Sequence, residues 1–329
     1  MIDRRRVLLA GLFALMSLVV LRADAQTSQT LPRVVMILGG SAEATTPWLE
    51  SFREGMRQAG QADGQTYALQ LRYTSGEAAR SAALIREAVA ERPAVLVVVG
   101  LTAARNARDA TSSIPVVVAT SSDLADAGIV ASLARPGGNI TGVSDLADEA
   151  AVKRLELLKA ALPNATRVVL LNNPDFPAAT KIETRVAAAA PALGITINLL
   201  LARDRASLAA TIDSFAKARP DALLIGGDAL FVIYSRELIE RATALHVPVV
   251  HYWPGTAEQV ALISHQADIK ENFRRAAGYV DKILRGTKPG DLPIHQPTRY
   301  ELVINLKTAK ALGLTIPQSL LLRADEVIQ

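Results

Sequence analysis

Short β-branched runs alternate with amphipathic helical segments along most of this chain, and that alternation constrains its fold more than any other feature. Runs such as 34–38, 95–99 and 222–225 are each followed by a turn and then by a helical pattern of about ten to twenty residues. Parallel strands need crossover connections of this length. The pattern therefore predicts parallel sheets covered by helices on both faces, in an α/β fold.

The repeated unit occurs in two sets with the same order and similar spacing. The predicted strands are residues 34–38, 67–73, 95–99 and 116–119, then 167–171, 196–201, 222–225 and 247–250. The predicted helices are 48–59, 77–91 and 103–110, then 178–190, 207–218 and 234–245. Two such sets predict two doubly wound lobes of flavodoxin type rather than one long sheet.

Three segments are expected to connect the lobes. Residues 134–144 form the densest Pro/Gly cluster in the middle of the chain. This segment, which contains Gly142, is the first hinge candidate. A helix over 269–284 has no strand partner left in the second lobe and should cross back to the first, and a strand over 300–305 should return. We therefore expect lobe 1 to comprise 32–141 plus 266–290, and lobe 2 to comprise 142–265 plus 291–329.

The N-terminal segment has the features of a secretory signal. Arg4, Arg5 and Arg6 precede an apolar run over 7–20, and Ala25 ends a stretch of small residues suited to cleavage. The apolar run is shorter than the roughly 20 residues that span a bilayer, so cleavage of residues 1–25 is favoured over an uncleaved anchor. The arginines also resemble a twin-arginine signal. We expect a periplasmic protein, without a lipid anchor because the chain has no cysteine.

Candidate ligand-binding residues of lobe 1 follow the predicted strand ends, where open parallel sheets bind ligands. They are Gly40, Ser41, Trp48, Thr102, Ser121 and Asp123. Glycine permits close approach of the backbone, the hydroxyls can donate hydrogen bonds and the indole can stack. Two alternatives stay open: Trp48 packs between helices, and Thr102 only caps the helix that follows it.

The equivalent positions of lobe 2 are Asn172, Asn173, Asp228 and Tyr252, with Trp253 beside the last. They offer amides, a carboxylate and aromatic faces. Asp228 suits an ammonium group or a sugar hydroxyl; its alternative role is N-cap of the next helix. Tyr252 could stack on an aromatic or apolar ligand.

Catalytic and nucleic-acid-binding motifs are missing from the sequence. No dinucleotide-binding glycine fingerprint, Walker A loop or Gly-x-Ser-x-Gly elbow occurs. The four histidines have no common metal spacing; His246 and His251 form only a weak candidate pair. The net charge of +4 comes from dispersed residues. We expect no enzyme activity, no cofactor, no metal and no nucleic-acid partner.

Several stretches resemble the ABC transporter substrate-binding family related to the tryptophan/tyrosine-type binding proteins. They are residues 132–142, 153–159 and 297–317. The resemblance implies a type I periplasmic-binding fold, delivery of solute to an ABC permease, and no catalysis. The chain departs from many relatives at Asp123-Leu124 and at Ser264-His265-Gln266, both near the expected cleft, so ligand identity cannot be carried over.

The leading hypothesis is a monomeric importer component that binds a small ligand, such as an amino acid, between its lobes. Lobe closure would bring groups such as Ser41 and Asp228 together on the ligand. A ligand-sensing subunit that docks on a membrane receptor is the alternative, and a periplasmic enzyme is less favoured. A two-lobed repressor is set aside because the N-terminus resembles a signal rather than a helix-turn-helix.

Overall fold

Lobe 1 is built on a five-stranded parallel sheet. The computed structural model describes residues 31–74, 78–144, 147–252 and 261–329. The strand order of lobe 1 is β2-β1-β3-β4-β5. Its elements in chain order are β1 (Arg33–Leu38), α1 (Ala42–Gln58), β2 (Ala68–Tyr73), α2 (Ala78–Ala90), β3 (Val95–Val98), α3 (Leu101–Ala110), β4 (Val116–Val118) and β5 (Ile140–Gly142).

Lobe 2 is built on a seven-stranded mixed sheet. Its elements in chain order are α4 (Ala147–Ala161), β6 (Arg167–Asn172), α5 (Ala179–Ala189), β7 (Thr196–Leu201), α6 (Arg205–Ala218), β8 (Ala222–Ile225), α7 (Ala229–Ile233), α8 (Ser235–Ala244), β9 (Val249–His251) and β10 (Ile263–Ala267). The chain then forms α9 (Ile269–Leu284), β11 (Tyr300–Asn305), α10 (Leu306–Ala311), α11 (Gln318–Leu321) and β12 (Glu326–Ile328).

The two sheets share one topology. Lobe 2 has the order β12-β11-β10-β9-β8-β6-β7, so its parallel part repeats the 2-1-3-4-5 order of lobe 1. This is the flavodoxin-like doubly wound order. β11 pairs antiparallel with β10, and β12 pairs parallel with β11. The prediction of two doubly wound lobes is confirmed.

Each sheet buries both of its faces, which explains why the strands read as continuous apolar runs. In β1, Val35 and Ile37 belong to the core beneath α2 and α3, whereas Val34, Met36 and Leu38 belong to the core beneath α1. The second of these cores is completed by α9, which packs against α1 although it follows lobe 2 in sequence.

The chain passes between the lobes in three places: after β5, between β10 and α9, and between residues 291 and 300. The first and third passages are hydrogen-bonded to each other. Ser144 N donates to His295 O at 2.9 Å, and His295 N donates to Gly142 O at 2.9 Å. The first and third passages between the lobes are therefore held side by side by backbone hydrogen bonds.

Gly142 lies inside strand β5 and not in a free hinge loop. It is paired with Val118 of β4, and its φ of 142° is one that favours glycine. A Cβ at this position would lie 2.1 Å from Val118 O. The predicted hinge segment is thus partly a lobe 1 strand, because β4 had an open edge on which residues 140–142 could pair.

Helix α1 begins at Ala42, six residues before its predicted start. Thr45 Oγ1 donates to Ser41 O at 2.8 Å, which supports the early turn, and Pro47 lies within the helix. Strand β10 was not predicted because its sequence, Ile-Ser-His-Gln-Ala, is too polar to read as a strand.

Close packing of α1 on α9 predicts opposite effects for two helical glycines. A Cβ on Gly55 would lie 2.7 Å from Arg274 O and 2.8 Å from the Ala277 Cβ, whereas one on Gly278 meets nothing within 4 Å. Gly55→Ala should lower the free energy of unfolding by about 1–3 kcal/mol. Gly278→Ala should raise it by roughly 0.5–1 kcal/mol, through helix propensity. Urea denaturation measures both; equal shifts of the same sign would contradict the close packing.

Candidate ligand-binding cleft

The carboxyl ends of the two parallel sheets face the boundary between the lobes. The chain leaves lobe 1 at the carboxyl end of β5 and leaves lobe 2 at the carboxyl end of β10. Both strands run parallel to their inner neighbours, β4 and β9. All parallel strands of a sheet end at the same edge, so the loops after β1, β3 and β4 face those after β6, β8 and β9.

The lobes touch each other along one side of this boundary. Phe176 and Ala178, in the segment after β6, pack against buried residues of both lobes. Lys181 Nζ donates to Asp126 Oδ2 across the boundary. The crevice there is lined by Leu101, Ser122, Asp123, Asp126, Ala127, Pro177, Ala178 and Lys181. The lobes are therefore in direct contact on this side of the boundary.

Gly40 and Ser41 form the loop between β1 and α1. Ser41 is exposed, and its carbonyl accepts hydrogen bonds from Thr45 N at 3.2 Å and Thr45 Oγ1 at 2.8 Å. Thr74 Oγ1 donates to Gly39 O at 2.9 Å. These bonds fix the loop at the lobe boundary, and ligand contact by Gly40 and Ser41 stays a prediction.

Trp48 lies within α1 and is half-buried. Its ring centroid is 5.8 Å from that of Phe273 in α9, with a tilt of 37°. The side chain thus takes part in the contact between the two helices, which is the packing role left open by the sequence.

Thr102 does not cap α3. The helix begins at Leu101, with Gly100 as its N-cap and no side-chain cap bond. Gly100 has a φ of 88°, which lets the chain enter the helix two residues earlier than predicted. The prediction of a Thr102 cap is wrong for this reason; Thr102 still lies in the first turn, half-exposed.

The loop after β4 is tied to the first passage between lobes. Ser144 Oγ accepts from Leu124 N at 3.1 Å and donates to Ser122 O at 3.2 Å. Asp123 Oδ1 accepts from the backbone amides of Ala125 and Asp126. Ser121 is buried, and within the described residues its Oγ has no hydrogen-bond partner. This loop therefore couples a cleft hydroxyl to the connection between the lobes.

Asn172 is buried at the end of β6 and holds the local chain. Its Nδ2 donates to Ala179 O at 3.1 Å and to Glu183 Oε1 at 2.9 Å, and its Oδ1 accepts from Asn173 N at 3.1 Å. Both amide hydrogens are used within the lobe. Asn172 thus supports the loop after β6. Its contact with ligand stays a prediction.

Asn173, Asp228 and Tyr252 come together at the adjacent strand ends. Asn173 Nδ2 donates to Asp228 Oδ1 at 3.0 Å, and Leu230 N donates to the same oxygen at 2.9 Å. Asp228 is thus the N-cap of α7. The Tyr252 hydroxyl donates to Asp228 O. Burial raises the pKa of the Asp228 carboxyl, against the lowering effect of these hydrogen bonds.

Arg154 is a cleft residue that sequence reasoning did not single out. It lies on α4 with only 2% of its surface exposed. Its Nη1 donates to His265 O at 3.3 Å, and its guanidinium carbon is 5.8 Å from the centroid of the Tyr252 ring. One signal could have found it: Arg154 occupies the buried stripe of α4 between Ala151 and Leu158.

The polar groups around Arg154 are also incompletely paired. Ser264 Oγ, His265 Nδ1 and Arg154 Nε are buried and have no hydrogen-bond partner within the described residues. The His265 ring stacks on Tyr300, with centroids 5.4 Å apart and planes 16° apart. The middle of β10 thus holds a buried polar cluster, level with the carboxyl end of β9 and beside Tyr252.

His251 is buried in this region as a neutral imidazole. Its ring centroid is 4.8 Å from that of Tyr252, and its Nε2 is 3.3 Å from Phe231 O. Burial, aided by the charge of Arg154, lowers the pKa of His251 to about 3. Across the part of the chain that the structure describes, no group of three or more His, Cys, Asp or Glu side chains is placed to hold a metal ion.

Comparison with known proteins agrees with the two-lobed architecture. The family model described as "ABC transporter substrate binding protein" matches residues 34–328, which is nearly all of the described chain. The chain belongs to this family. Its members are substrate-binding proteins.

Relatives of this substrate-binding protein include a tyrosine-binding protein of Clostridioides difficile. It is 23% identical over 272 residues, which cover 80% of this chain and 76% of the relative. A conserved domain protein from Vibrio cholerae matches with a TM-score of 0.84 and 27% identity, over 91% of this chain and 100% of that one. An ABC domain from Streptococcus pneumoniae, solved with L-Trp, matches with a TM-score of 0.83 and 24% identity, over the same shares.

Two sequence predictions fall outside the described residues: the signal segment 1–25, and Trp253 after β9. Within the described ranges, no helix is both long and apolar enough to cross a membrane.

The neutral state of His251 predicts a loss of stability in mild acid. Below pH 6.5 the unfolded chain binds a proton that the folded protein does not accept until about pH 3. The stabilisation is thus complete above pH 6.5, and about 2 kcal/mol should be lost by pH 5. Urea unfolding at pH 7, 6 and 5 measures this decline.

His251→Gln should show a shallower decline than the wild type. His246→Gln is the matched control, because His246 is exposed in the same lobe, and it should keep the wild-type decline. An unchanged slope in His251→Gln would show that other groups cause the loss.

Proposed function

We propose that this protein is the periplasmic solute-binding component of an ABC importer. It binds an amino acid or a related small molecule between its lobes and delivers it to the membrane permease. It acts as a monomer and without catalysis, cofactor or metal. The N-terminal segment, with its three arginines and apolar run, is the export signal.

The position of the two strand edges, which face each other across the lobe boundary, is the observation that supports the proposal. A clamp of this kind transmits ligand binding only if the ligand contacts both lobes, since a ligand shifts an equilibrium by its differential affinity for the two states. Ser121 in lobe 1 and the Asp228–Tyr252 cluster in lobe 2 lie on facing edges. They supply hydroxyl, carboxylate and aromatic groups for that purpose.

An amino acid fits these groups better than a sugar does. The carboxylate of Asp228 suits an ammonium group, and Tyr252 suits an apolar or aromatic side chain. The relatives described by their binding of tyrosine or L-Trp support the same ligand class.

Ligand-dependent stabilisation tests the proposal. The mature chain would be heated with L-tryptophan, L-tyrosine, branched amino acids, glucose and adenosine in turn, and each hit would be followed by calorimetry. A ligand at about 100 times its Kd should stabilise the folded state by about 2.7 kcal/mol and raise Tm. We expect hits among the amino acids. Stabilisation by glucose or adenosine alone would overturn the amino-acid proposal.

Replacement of Asp228 by Asn should weaken amino-acid binding by more than tenfold, because it removes the charge that pairs with the ammonium group. Asn is as good an N-cap as Asp and keeps an acceptor for Leu230 N. Calorimetry gives the affinity, and thermal unfolding without ligand checks that α7 is intact. Wild-type affinity in Asp228→Asn would remove this carboxylate from the binding site.

A further inference from the structure

Arg154 carries a buried charge that no acidic side chain of the described residues neutralises. Among the described residues, its one hydrogen bond is donated by Nη1 to His265 O, its Nε has no hydrogen-bond partner, and its guanidinium carbon lies 5.8 Å from the centroid of the Tyr252 ring. A guanidinium group has five N–H donors. Most of its hydrogen-bonding capacity is therefore unused within the described residues.

The position of Arg154 directs this unused capacity to the cleft. Helix α4 starts just after the first passage from lobe 1, so its N-terminal end lies at the lobe boundary. Helical side chains lean toward the N-terminus of their helix. Of its two contacts, Tyr252 directly follows β9, and His265 lies in the middle of β10, one residue beyond the pairing of Ser264 with His251. The guanidinium is thus buried level with the carboxyl end of β9, on the side of the lobe 2 sheet that faces lobe 1.

A charge buried in this way is costly unless an anion reaches it. Burial lowers the pKa of Arg154 only to about 10, so the side chain stays protonated at neutral pH. Leu or Met would fill the same place on the buried stripe of α4 without that cost. A ligand with an anionic group would neutralise this charge and would explain why an arginine occupies position 154.

We infer that Arg154 binds the carboxylate of the transported solute at the floor of the cleft. The inference rests on the proposed function and narrows its ligand to solutes that carry a carboxylate. Tyr252 lies between Arg154 and Asp228. Its ring is beside the guanidinium of Arg154, and its hydroxyl donates a hydrogen bond to the backbone carbonyl of Asp228. The two side chains present opposite charges on either side of Tyr252, which suits a zwitterion.

The first test uses the unaltered protein. L-tryptophan and L-tryptophanamide share the ring and the ammonium group, but the amide lacks the negative charge. Calorimetry should show that the amide binds roughly 10- to 100-fold more weakly, because its charge-assisted bonds to the guanidinium are lost. L-tyrosine with its amide, and phenylacetate with phenylacetamide, repeat the comparison with other solutes.

The second test is the variant Arg154→Met. It should bind L-tryptophan roughly 10- to 100-fold more weakly and should no longer distinguish the acid from the amide. Its Tm without ligand should equal or exceed that of the wild type, because an apolar side chain replaces a buried unpaired charge. Arg167→Met is the matched control, since Arg167 is exposed at the amino end of β6, and it should keep wild-type affinity and discrimination.

The outcomes separate this inference from the proposed function. Equal binding of acid and amide, or wild-type affinity in Arg154→Met, would overturn the role of Arg154 while leaving amino-acid binding intact. Binding of phenylacetate but of no amino acid, with loss in Arg154→Met, would support Arg154 and overturn the amino-acid proposal. Absence of binding by every carboxylate at millimolar concentration would overturn the role of Arg154.

Discussion

The architecture depends on where the backbone is allowed to leave each sheet. All strands of a parallel sheet end on the same side of the sheet. A chain that passes out of the last strand therefore leaves the lobe on that side. Both β5 and β10 are last strands of a 2-1-3-4-5 series, and both pass into the other lobe directly. The edges that carry unpaired backbone groups and helix N-termini must therefore face each other. The position of the cleft follows from topology, before any side chain is chosen.

The chemistry of that cleft is divided unequally. On the lobe 1 side, the Ser121 hydroxyl is buried without a partner among the described residues, and Thr74 Oγ1 donates to Gly39 O. Lobe 2 contributes charge and aromatic surface in a cluster around Tyr252. The proposed function would therefore place a charged solute on lobe 2 first, with lobe 1 closing on it.

Much of the fold could be predicted from the sequence, because strands buried on both faces are marked by uninterrupted β-branched and leucine runs. The strand Thr196–Leu201 and the helix Ile269–Leu284 have the predicted bounds. Strand β10 was missed because Ser264, His265 and Gln266 give it a polar sequence, which reflects its place at the polar cluster. The early start of α1 depends on a side-chain bond from Thr45 that periodicity cannot reveal. Arg154 was missed because a charge on a helix is normally solvated, and only the packing of α4 shows that this one is not.

The place of α9 in the sequence has a consequence for biogenesis. Part of one face of the lobe 1 sheet is covered by Phe273, Ala276, Ala277 and Val280, which the ribosome adds only after strands β6 to β10. Domains that are continuous in sequence can fold as soon as they emerge. Lobe 1 cannot, because the contacts that close its core join distant parts of the chain, and such contacts form slowly. Until α9 has been synthesised, the nascent chain therefore exposes the part of this sheet face that α1 does not cover.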